Sequence, residues 1–344
     1  MKKFLKILGK AFAFVGVTVG MVFVCLLLTI TLICHGPSNS AKELFATTIL
    51  ETGQLKFLAN VFLSKDEIEG IVSKNSLQDM NVEIDENLIK TNIDKTKELI
   101  EIHEVNGNNF EGKMMVVNDP SKISLATTYP WGEYGKELGV LTEDAGAIAG
   151  VNGGIYYSSG NKGGRPLGVT VSNGEIQDIS LGLVGLYLIG FDENNLLRII
   201  SLDGMNKAQV EELIKTEKIR DAVAFQEESS DKNNHFVKLI INGEKRELNG
   251  MGSGANPRTA IGQRKDGSVL ILVTDGRGKN GHLGATASDI IDIMAEYGAV
   301  NAANLDGGSS SSLYYNHEYL MTSVTFYYAN SSWRLPTAFV VKDN

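Results

Sequence analysis

Apolar residues form one long uninterrupted run near the start of the chain, and this run predicts a membrane anchor. No charged residue occurs in residues 11–34, from Ala11 to Cys34, and a helix of that length, at about 1.5 Å per residue, spans a hydrocarbon core of roughly 30 Å. Four lysines precede the run and no acidic residue occurs before Glu43, so the positive-inside rule places residues 1–10 in the cytoplasm and the main part of the chain outside. The run is longer than the apolar core of a cleavable signal peptide, and we therefore expect an uncleaved, single-pass anchor.

Behind the anchor, residues 35–109 combine a helical pattern with a polar stretch. Apolar residues recur at spacings of three and four across residues 41–75, which is typical of amphipathic helices. Ser64 and Glu67 form a capping-box pattern at the start of a second short helix. Residues 76–108 are polar, acidic and weakly periodic, which is typical of a linker with fragments of strand. We therefore interpret residues 35–109 as a helical stalk and linker, to which the sequence assigns no chemistry.

From residue 110 onward the pattern changes to short β-type runs separated by glycine-containing turns. Helical patterns interrupt these runs at Lys207–Thr216 and at Ala287–Tyr297, where Thr286 is a candidate N-cap and Asp289 lies at the third helical position. Because strands dominate and helices are few, we expect an α+β domain over residues 110–344, built on a mixed β-sheet. The predicted strands are Lys113–Asn118, Ile123–Thr127, Gly146–Asn152, Leu167–Val171, Leu186–Ile189, Leu196–Ile200, Ala222–Phe225, Phe236–Ile241, Val269–Thr274, Val300–Leu305 and Ala338–Val341.

Composition and charge narrow the classes of function. Hydrophobic residues make up 43% and charged residues 21% of the chain, which is ordinary for a globular protein. The net charge of −9 becomes −9 − 4 = −13 without the four N-terminal lysines, so no nucleic-acid partner is expected and an anionic substrate needs a local cationic site. Cys25 and Cys34 both lie within the predicted anchor, so the exported part carries no disulfide, and this favours the surface of a bacterium, Gram-positive in our interpretation.

Four glycine-flanked polar segments lie at the ends of apolar runs and are the candidates for chemistry. Strand ends are where a rigid scaffold presents ligand-binding groups. Each segment alone also matches a hairpin turn, and it is the set that favours a site. The segments are Ala149–Tyr157 followed by Arg165–Gly168, Asn256–Gly262, Val273–Arg277 and Asn304–Ser312.

Other catalytic templates are missing from the sequence. There is no phosphate-binding P-loop, no dinucleotide-binding glycine pattern, no Gly-x-Ser-x-Gly elbow and no His-Glu-x-x-His motif. The five histidines form no close-spaced metal set, so we expect no cofactor and no metal. A structural calcium ion beside Asp306 and the serines that follow it stays open, and so does the choice between a solvated and a site-lining role for His282.

Taken in order, the four segments resemble the phosphodiester glycosidase family, including its bacterial members of the exopolysaccharide-biosynthesis type. The resemblance covers roughly residues 110–344, and nothing comparable covers residues 1–109. Two positions depart from the usual motifs. Ser309 stands where the family usually has a third glycine, and Ile155 with Tyr156 stands where it has two aromatic residues.

The resemblance implies hydrolysis of a sugar-1-phosphate diester at the glycosidic C1–O bond, which gives a free sugar and a phosphate monoester. An oxocarbenium-like transition state needs a carboxylate, as nucleophile or as base for water; Asp306 is the first catalytic candidate and Asp275 the second. Arg258 is the expected phosphate partner, because a guanidinium binds phosphate oxygens bidentately. The other expected substrate-binding residues are Asn152, Gly153, Tyr156, Arg165, Asn304, Gly307, Gly308 and Ser309.

The leading hypothesis is a membrane-anchored, extracytoplasmic glycosidase that acts on phosphodiesters of cell-surface glycans in the cell envelope. Two alternatives stay open: a non-catalytic surface polysaccharide-binding or assembly protein, and a phosphodiesterase that cuts the P–O bond. The enzyme is favoured because two carboxylates, an arginine and an amide occur together in the motifs. The sequence leaves the sugar, the stereochemical course and the oligomeric state open.

Overall fold

Among the residues that the structure describes, α-helices occupy the first quarter of the chain and three later segments. The computed structural model describes residues 2–52, 55–91, 94, 96–230, 232–323 and 331–343. The α-helices of this part are α1 (Lys2–His35), α2 (Asn39–Leu50), α3 (Phe57–Phe62), α4 (Lys65–Lys74), α5 (Leu138–Asp144), α6 (Lys207–Thr216) and α7 (Ala287–Glu296).

Helix α1 contains the predicted anchor. Among the described residues it is the one helix long and apolar enough to cross a membrane, over Lys3–His35, with a mean hydropathy of 2.7 and 6% of its most apolar window buried. Only its last turn is covered, where Cys34 packs against α2, α3 and α4. The helix is compatible with a signal anchor or a single-pass membrane segment, and its orientation stays a prediction.

Helices α2 to α4 pack on one another around a small apolar cluster that includes Ala46, Leu50 and Ile68. The predicted capping box is confirmed, because Ser64 accepts from the Glu67 amide while the Glu67 carboxylate accepts from the Ser64 amide. Helix α2 ends at Leu50. The next residue, Glu51, contacts the β-sheet domain, where it accepts from the Gly254 amide.

Strands dominate after residue 100, as predicted. Each of the eleven predicted runs contains an observed strand, and α6 and α7 lie where the helical patterns were found. The strands are β1 (Ile100–Asn106), β2 (Glu111–Val117), β3 (Ile123–Thr127), β4 (Ala149–Asn152), β5 (Gly168–Ser172), β6 (Glu175–Ser180), β7 (Leu186–Asp192), β8 (Leu197–Ser201), β9 (Ile219–Gln226), β10 (Glu228–Ser229), β11 (Asn234–His235), β12 (Lys238–Ile241), β13 (Glu244–Lys245), β14 (Thr259–Arg264), β15 (Val269–Thr274), β16 (Ala299–Asn304), β17 (Ser312–Tyr315), β18 (Glu318–Thr322) and β19 (Thr337–Val341).

The strands form three larger sheets and one small ribbon, β10-β11. The orders are β1-β2-β15-β14-β16-β12-β13, β18-β17-β4-β19-β3 and β6-β5-β9-β7-β8. The α+β class is confirmed. A mixed sheet was expected, whereas the ladders between the described strands are antiparallel, because parallel neighbours need crossover helices and the sequence supplies few.

One apolar core joins the three sheets. It contains Ile271 and Ala303 from the seven-stranded sheet, Val151 and Phe339 from the sheet around β4, and Phe191 from the third. The opposite face of the seven-stranded sheet is covered by α7. This packing brings the ends of β4, β14, β15 and β16 together, and these are the strand ends that carry the predicted motifs.

Candidate functional site

The turn that follows β16 presents Asp306 at the junction of two sheets. The Leu305 amide donates to the Thr259 carbonyl at 2.8 Å, and the Gly308 amide donates to the Pro257 carbonyl at 2.8 Å, so the turn is fixed to the start of β14. Gly308 has a φ of +62°, a left-handed conformation that an L-residue adopts at an energetic cost. The glycines therefore allow the tight turn that was predicted from sequence.

Asn152, at the end of β4, holds this turn from the other sheet. Its Nδ2 donates to the Asp306 carbonyl at 2.6 Å, while its Oδ1 accepts from Thr259 Oγ1 at 2.9 Å and from the Ser312 amide at 3.2 Å. The residue is fully buried. Asn152 therefore lies at the site, as expected, with its amide engaged by protein groups.

Asp306 is partly exposed as a residue, but its carboxyl is surrounded by protein groups and is poorly hydrated. Desolvation raises the pKa of Asp306 to about 7, even though hydrogen bonds from Ser310 and the Gly307 amide and the charge of Arg277 favour the carboxylate. Ser310 Oγ also lies 3.1 Å from the Tyr156 hydroxyl oxygen. The geometry thus places Tyr156, Ser310 and Asp306 in one hydrogen-bonded group.

Arg277 contributes the cation of this group. Its Nη1 donates to Ser309 Oγ at 2.8 Å and its Nε donates to Asn256 Oδ1 at 3.3 Å. Burial lowers the pKa of Arg277 and the charge of Asp306 opposes that change. No carboxylate among the described residues forms an ion pair with Arg277, so its guanidinium retains donors for a ligand. Arg277 lies in one of the predicted motifs but was not among the predicted substrate-binding residues.

Arg258, the expected phosphate partner, lies in an internal network. Its Nη2 is paired with the Glu51 carboxylate and donates to the Gly254 carbonyl at 2.6 Å and to Ser253 Oγ at 3.0 Å. Its Nε donates to the Ala285 carbonyl at 3.1 Å. Because most of its donors are satisfied by protein and only 7% of its side chain is exposed, Arg258 is poorly placed to meet a ligand in this structure.

Asp275 occupies a different environment from Asp306. Its Oδ1 accepts from the Glu111 amide at 2.8 Å and its Oδ2 lies 2.8 Å from His282 Nδ1. The hydrogen bond in which the Asp275 carboxylate accepts from the His282 ring is the main reason that the pKa of His282 is raised. Ligand atoms of Glu111, Asp275 and His282 lie within 4.8 Å of one another, so the folded chain assembles a possible metal-binding trio that spacing alone did not reveal; the expected absence of a metal stays a prediction.

The remaining predicted residues fall into two groups. Gly153 packs so closely on β19 that a Cβ there would lie 2.4 Å from Thr337 Oγ1; similarly, a Cβ at Gly307 would lie 2.9 Å from the Pro257 carbonyl oxygen. Asn304 is buried beside the turn, with Nδ2 donating to the Phe236 carbonyl at 3.2 Å. The Arg165 side chain, by contrast, is 67% exposed and lies 3.6 Å from Asp178, so the described contacts do not bring it to Asp306.

Carboxyl, hydroxyl and guanidinium groups thus meet at strand ends of the three-sheet α+β fold. The phosphodiester glycosidase family model matches residues 145–342, which is more than half of the chain and includes Asn152, Asp275 and Asp306. The chain belongs to the phosphodiester glycosidase family, and so to a family of glycosidase-type hydrolases.

The structural comparison supports the same fold. The catalytic domain of zebrafish N-acetylglucosamine-1-phosphodiester alpha-N-acetylglucosaminidase, auto-inhibited by its pro-peptide, superimposes with a TM-score of 0.53 at 18% identity over 73% of this chain and 86% of that one. A hypothetical protein from Synechocystis has a TM-score of 0.46 at 16% identity, over 70% of this chain and 61% of that one. A prophage-derived uncharacterized protein of Bacillus subtilis, YomE, is 46% identical over 56 residues, 16% of this chain. The chain thus spans 8% of the length of that curated relative.

Proposed function

We propose that the protein is a membrane-anchored, extracytoplasmic glycosidase that hydrolyses the glycosidic C1–O bond of sugar-1-phosphate diesters in cell-surface glycans. The observation that carries this proposal is the meeting of a carboxyl whose pKa burial raises to about 7, on Asp306, with a guanidinium that retains free donors, on Arg277. The family membership of the chain supports a glycosidase-type hydrolase, and the activity named for the zebrafish protein supports a phosphodiester as the substrate class.

In this proposal Arg277 binds the phosphate of the diester. The exported part of the chain is acidic, so a phosphodiester is attracted only where a cation faces solvent. Arg277 is held by Asn256 and Ser309 through two of its nitrogens, which fixes the plane of the guanidinium. The remaining N–H groups can then form charge-assisted hydrogen bonds to phosphate oxygens.

Asp306 acts at the anomeric carbon. As the C1–O bond breaks, its electron pair leaves with the phosphate oxygen, and positive charge develops on the sugar ring. The Asp306 carboxylate either attacks C1 or takes a proton from the water that does so; both courses end with the water oxygen on the sugar. A phosphate monoester has a second pKa of about 6, so the leaving group needs little help from an acid near neutral pH.

The experiment is turnover in oxygen-18 water by the full-length protein in detergent micelles. The substrates are a UDP-sugar and para-nitrophenyl phosphodiesters of several sugars. We expect the label in the released sugar. Label in the phosphate would overturn C1–O cleavage and favour a phosphodiesterase, while glycan binding without any turnover would favour a binding or assembly protein.

A pair of arginine variants tests the phosphate site in the same assay. Arg277→Gln should raise the KM by about tenfold or more, because a hydrogen bond to a charged group contributes roughly 1.5–3 kcal/mol. Arg334→Gln is the matched control, since Arg334 instead lies over the ring of Tyr134, and it should leave the KM unchanged. Equal KM values for the two variants would remove Arg277 from phosphate binding.

A further inference from the structure

A buried acid from the N-terminal helices lies in the wall of the candidate site. Glu51 follows α2 directly, and only 2% of its side chain is exposed. Its Oε1 accepts from the Gly254 amide at 2.8 Å and from Asn234 Nδ2 at 3.0 Å. Its Oε2 accepts from Asn256 Nδ2 at 3.0 Å and is paired with Arg258. Four donors on one buried carboxylate make a highly specified arrangement.

The contacts of Glu51 lead to Arg277 in one step. A carboxylate accepts hydrogen bonds and donates none, so the NH₂ end of the Asn256 amide has to face Glu51. The Oδ1 end then faces the opposite way, where it accepts from Arg277 Nε at 3.3 Å. The Thr48 carbonyl accepts from the same Nδ2 at 3.3 Å. Glu51, together with this carbonyl, therefore determines which end of the Asn256 amide is presented to Arg277.

Glu51 also offsets the electrostatic repulsion between Arg258 and Arg277. The positive charge of Arg258 lowers the pKa of Arg277, and the negative charge of Glu51 opposes that effect. By pairing with Arg258, Glu51 compensates a buried cation that would otherwise repel Arg277. Arg277 is left as the cation whose charge acts on Asp306.

We propose that Glu51 is a positioning residue of the active site, which orients Asn256 and through it Arg277 for the substrate phosphate. The inference rests on the proposed function, since it assigns the phosphate to Arg277. It also assigns a role in the site to the segment between the apolar helix and the sheets, which lies before the start of the family match at residue 145.

The test measures binding and turnover separately on the full-length protein in detergent micelles. Glu51→Ala should weaken calorimetric binding of N-acetylglucosamine-1-phosphate by about tenfold and raise the KM of the diester by a similar factor, with a smaller change in kcat. Glu69→Gln is the control, since Glu69 lies in α4 and its side chain is 54% exposed, and it should match the wild type in both readouts.

A second variant keeps the test informative if Glu51→Ala fails to fold. Asn256→Ala leaves the Glu51–Arg258 pair in place and removes the acceptor of Arg277, so it should weaken sugar phosphate binding to the same degree. If both single variants fold, the double variant should bind no more weakly than Glu51→Ala, because Glu51→Ala already removes the effect that runs through Asn256.

The outcomes separate this inference from the proposed function. Wild-type binding without turnover, weakened by both variants, would support the positioning role while the proposed reaction fails. Unchanged affinity and KM in the variants, with only a lower Tm, would show that Glu51 is structural. Faster turnover in Glu51→Ala would show that this segment obstructs the site, and would also overturn the inference.

Discussion

Asp306 and Asp275 each end a buried strand and precede a glycine, yet the fold gives them opposite environments. Asp275 is 1% exposed, and both of its oxygens are engaged, by the Glu111 amide and by His282. Asp306 is partly exposed and has a raised pKa of about 7, with Arg277 acting on it. The same local signal therefore leads to one carboxylate held by two protein partners and one carboxyl whose pKa is raised by burial beside an arginine.

The comparison shows that tertiary partners, and not the strand-end motif, distinguish the two acids. Asp275 fixes the loop after β15 to the end of the β1–β2 hairpin, through contacts more than 160 positions apart in sequence. Ser310 hydrogen-bonds both Asp306 and Tyr156, and the nearby Arg277 retains N–H donors that no protein group among the described residues accepts. The chemical role therefore falls to Asp306 in our proposal, and a supporting role to Asp275.

The largest effect should come from removing the Asp306 charge. Asp306→Asn keeps the shape of the side chain and removes the nucleophile or base, so kcat should fall on the order of 10³-fold or more. Steady-state turnover of a para-nitrophenyl sugar phosphodiester measures it. Asp292→Asn, on the exposed face of α7 with a side chain 65% exposed, is the control and should keep full activity. A kcat within tenfold of the wild type would remove Asp306 from catalysis.

The pH dependence of the wild type tests the same residue. An Asp306 that works as a carboxylate should give a rate that rises with pH through about 7. The pKa of Asp306 is about 7 in the folded state and 3.8 in the unfolded state. The stability that the protonated group contributes is therefore fully present below pH 3.8 and is lost as the pH rises through about 7. Asp306→Asn should therefore match or exceed the wild-type Tm at pH 8. A rate that falls with pH through about 7 would instead indicate a general acid.

Much of the fold could be predicted because its signals are local. The capping residues Ser64 and Thr286 lie at the starts of α4 and α7 as expected, and the apolar runs became strands. Strand β14 was missed because Asn256-Pro257-Arg258 favours a turn directly before it and Gly262 interrupts its apolar pattern. Strand β1 lies mainly in the region interpreted as a linker with fragments of strand. Its extent was not predicted, since one of its edges has no neighbour and much of it faces solvent.

Only part of the candidate site could be predicted from the sequence. The turn around Asp306 has its own glycine and serine pattern, which local reasoning detects. No such local pattern marks Glu51. It lies 207 positions from Arg258, in a segment whose apolar periodicity predicts only helices. The pairing of Arg258 with this acid is likewise why Arg258, which looks like the phosphate partner in sequence, is replaced in that role by Arg277 in our proposal.

Changing Asp275 should affect stability more than chemistry. Asp275→Asn keeps an acceptor for the Glu111 amide and removes the charge paired with His282, so the Tm should fall by on the order of a few degrees while kcat changes by less than about tenfold. The raised pKa of His282 means that the pair stabilises the fold below the usual histidine pKa and loses its effect as the pH rises through the raised value. The loss of Tm should therefore be larger at pH 5.5 than at pH 8.5.

The opposite pH trend would contradict an Asp275–His282 ion pair. A wild-type Tm that rises with added zinc, and does not rise in Asp275→Asn, would show that Glu111, Asp275 and His282 bind metal and would replace the ion pair as the explanation. A loss of kcat as large as that of Asp306→Asn would give Asp275 a chemical role and end the contrast between the two acids.

The smallest effect should come from a single methyl group at the turn. Gly308 has a φ of +62°, and a Cβ there would lie 2.6 Å from Arg277 Nη2, so the guanidinium has to move. Gly146 has a φ of +63° with no atom within 4 Å of its ideal Cβ, which makes it a matched control for backbone strain. Both alanine variants should lose about 1–2 kcal/mol of unfolding free energy, but only Gly308→Ala should raise the KM of the phosphodiester, by about threefold to tenfold. Equal KM values in the two variants would mean that the position of Arg277 does not govern substrate binding.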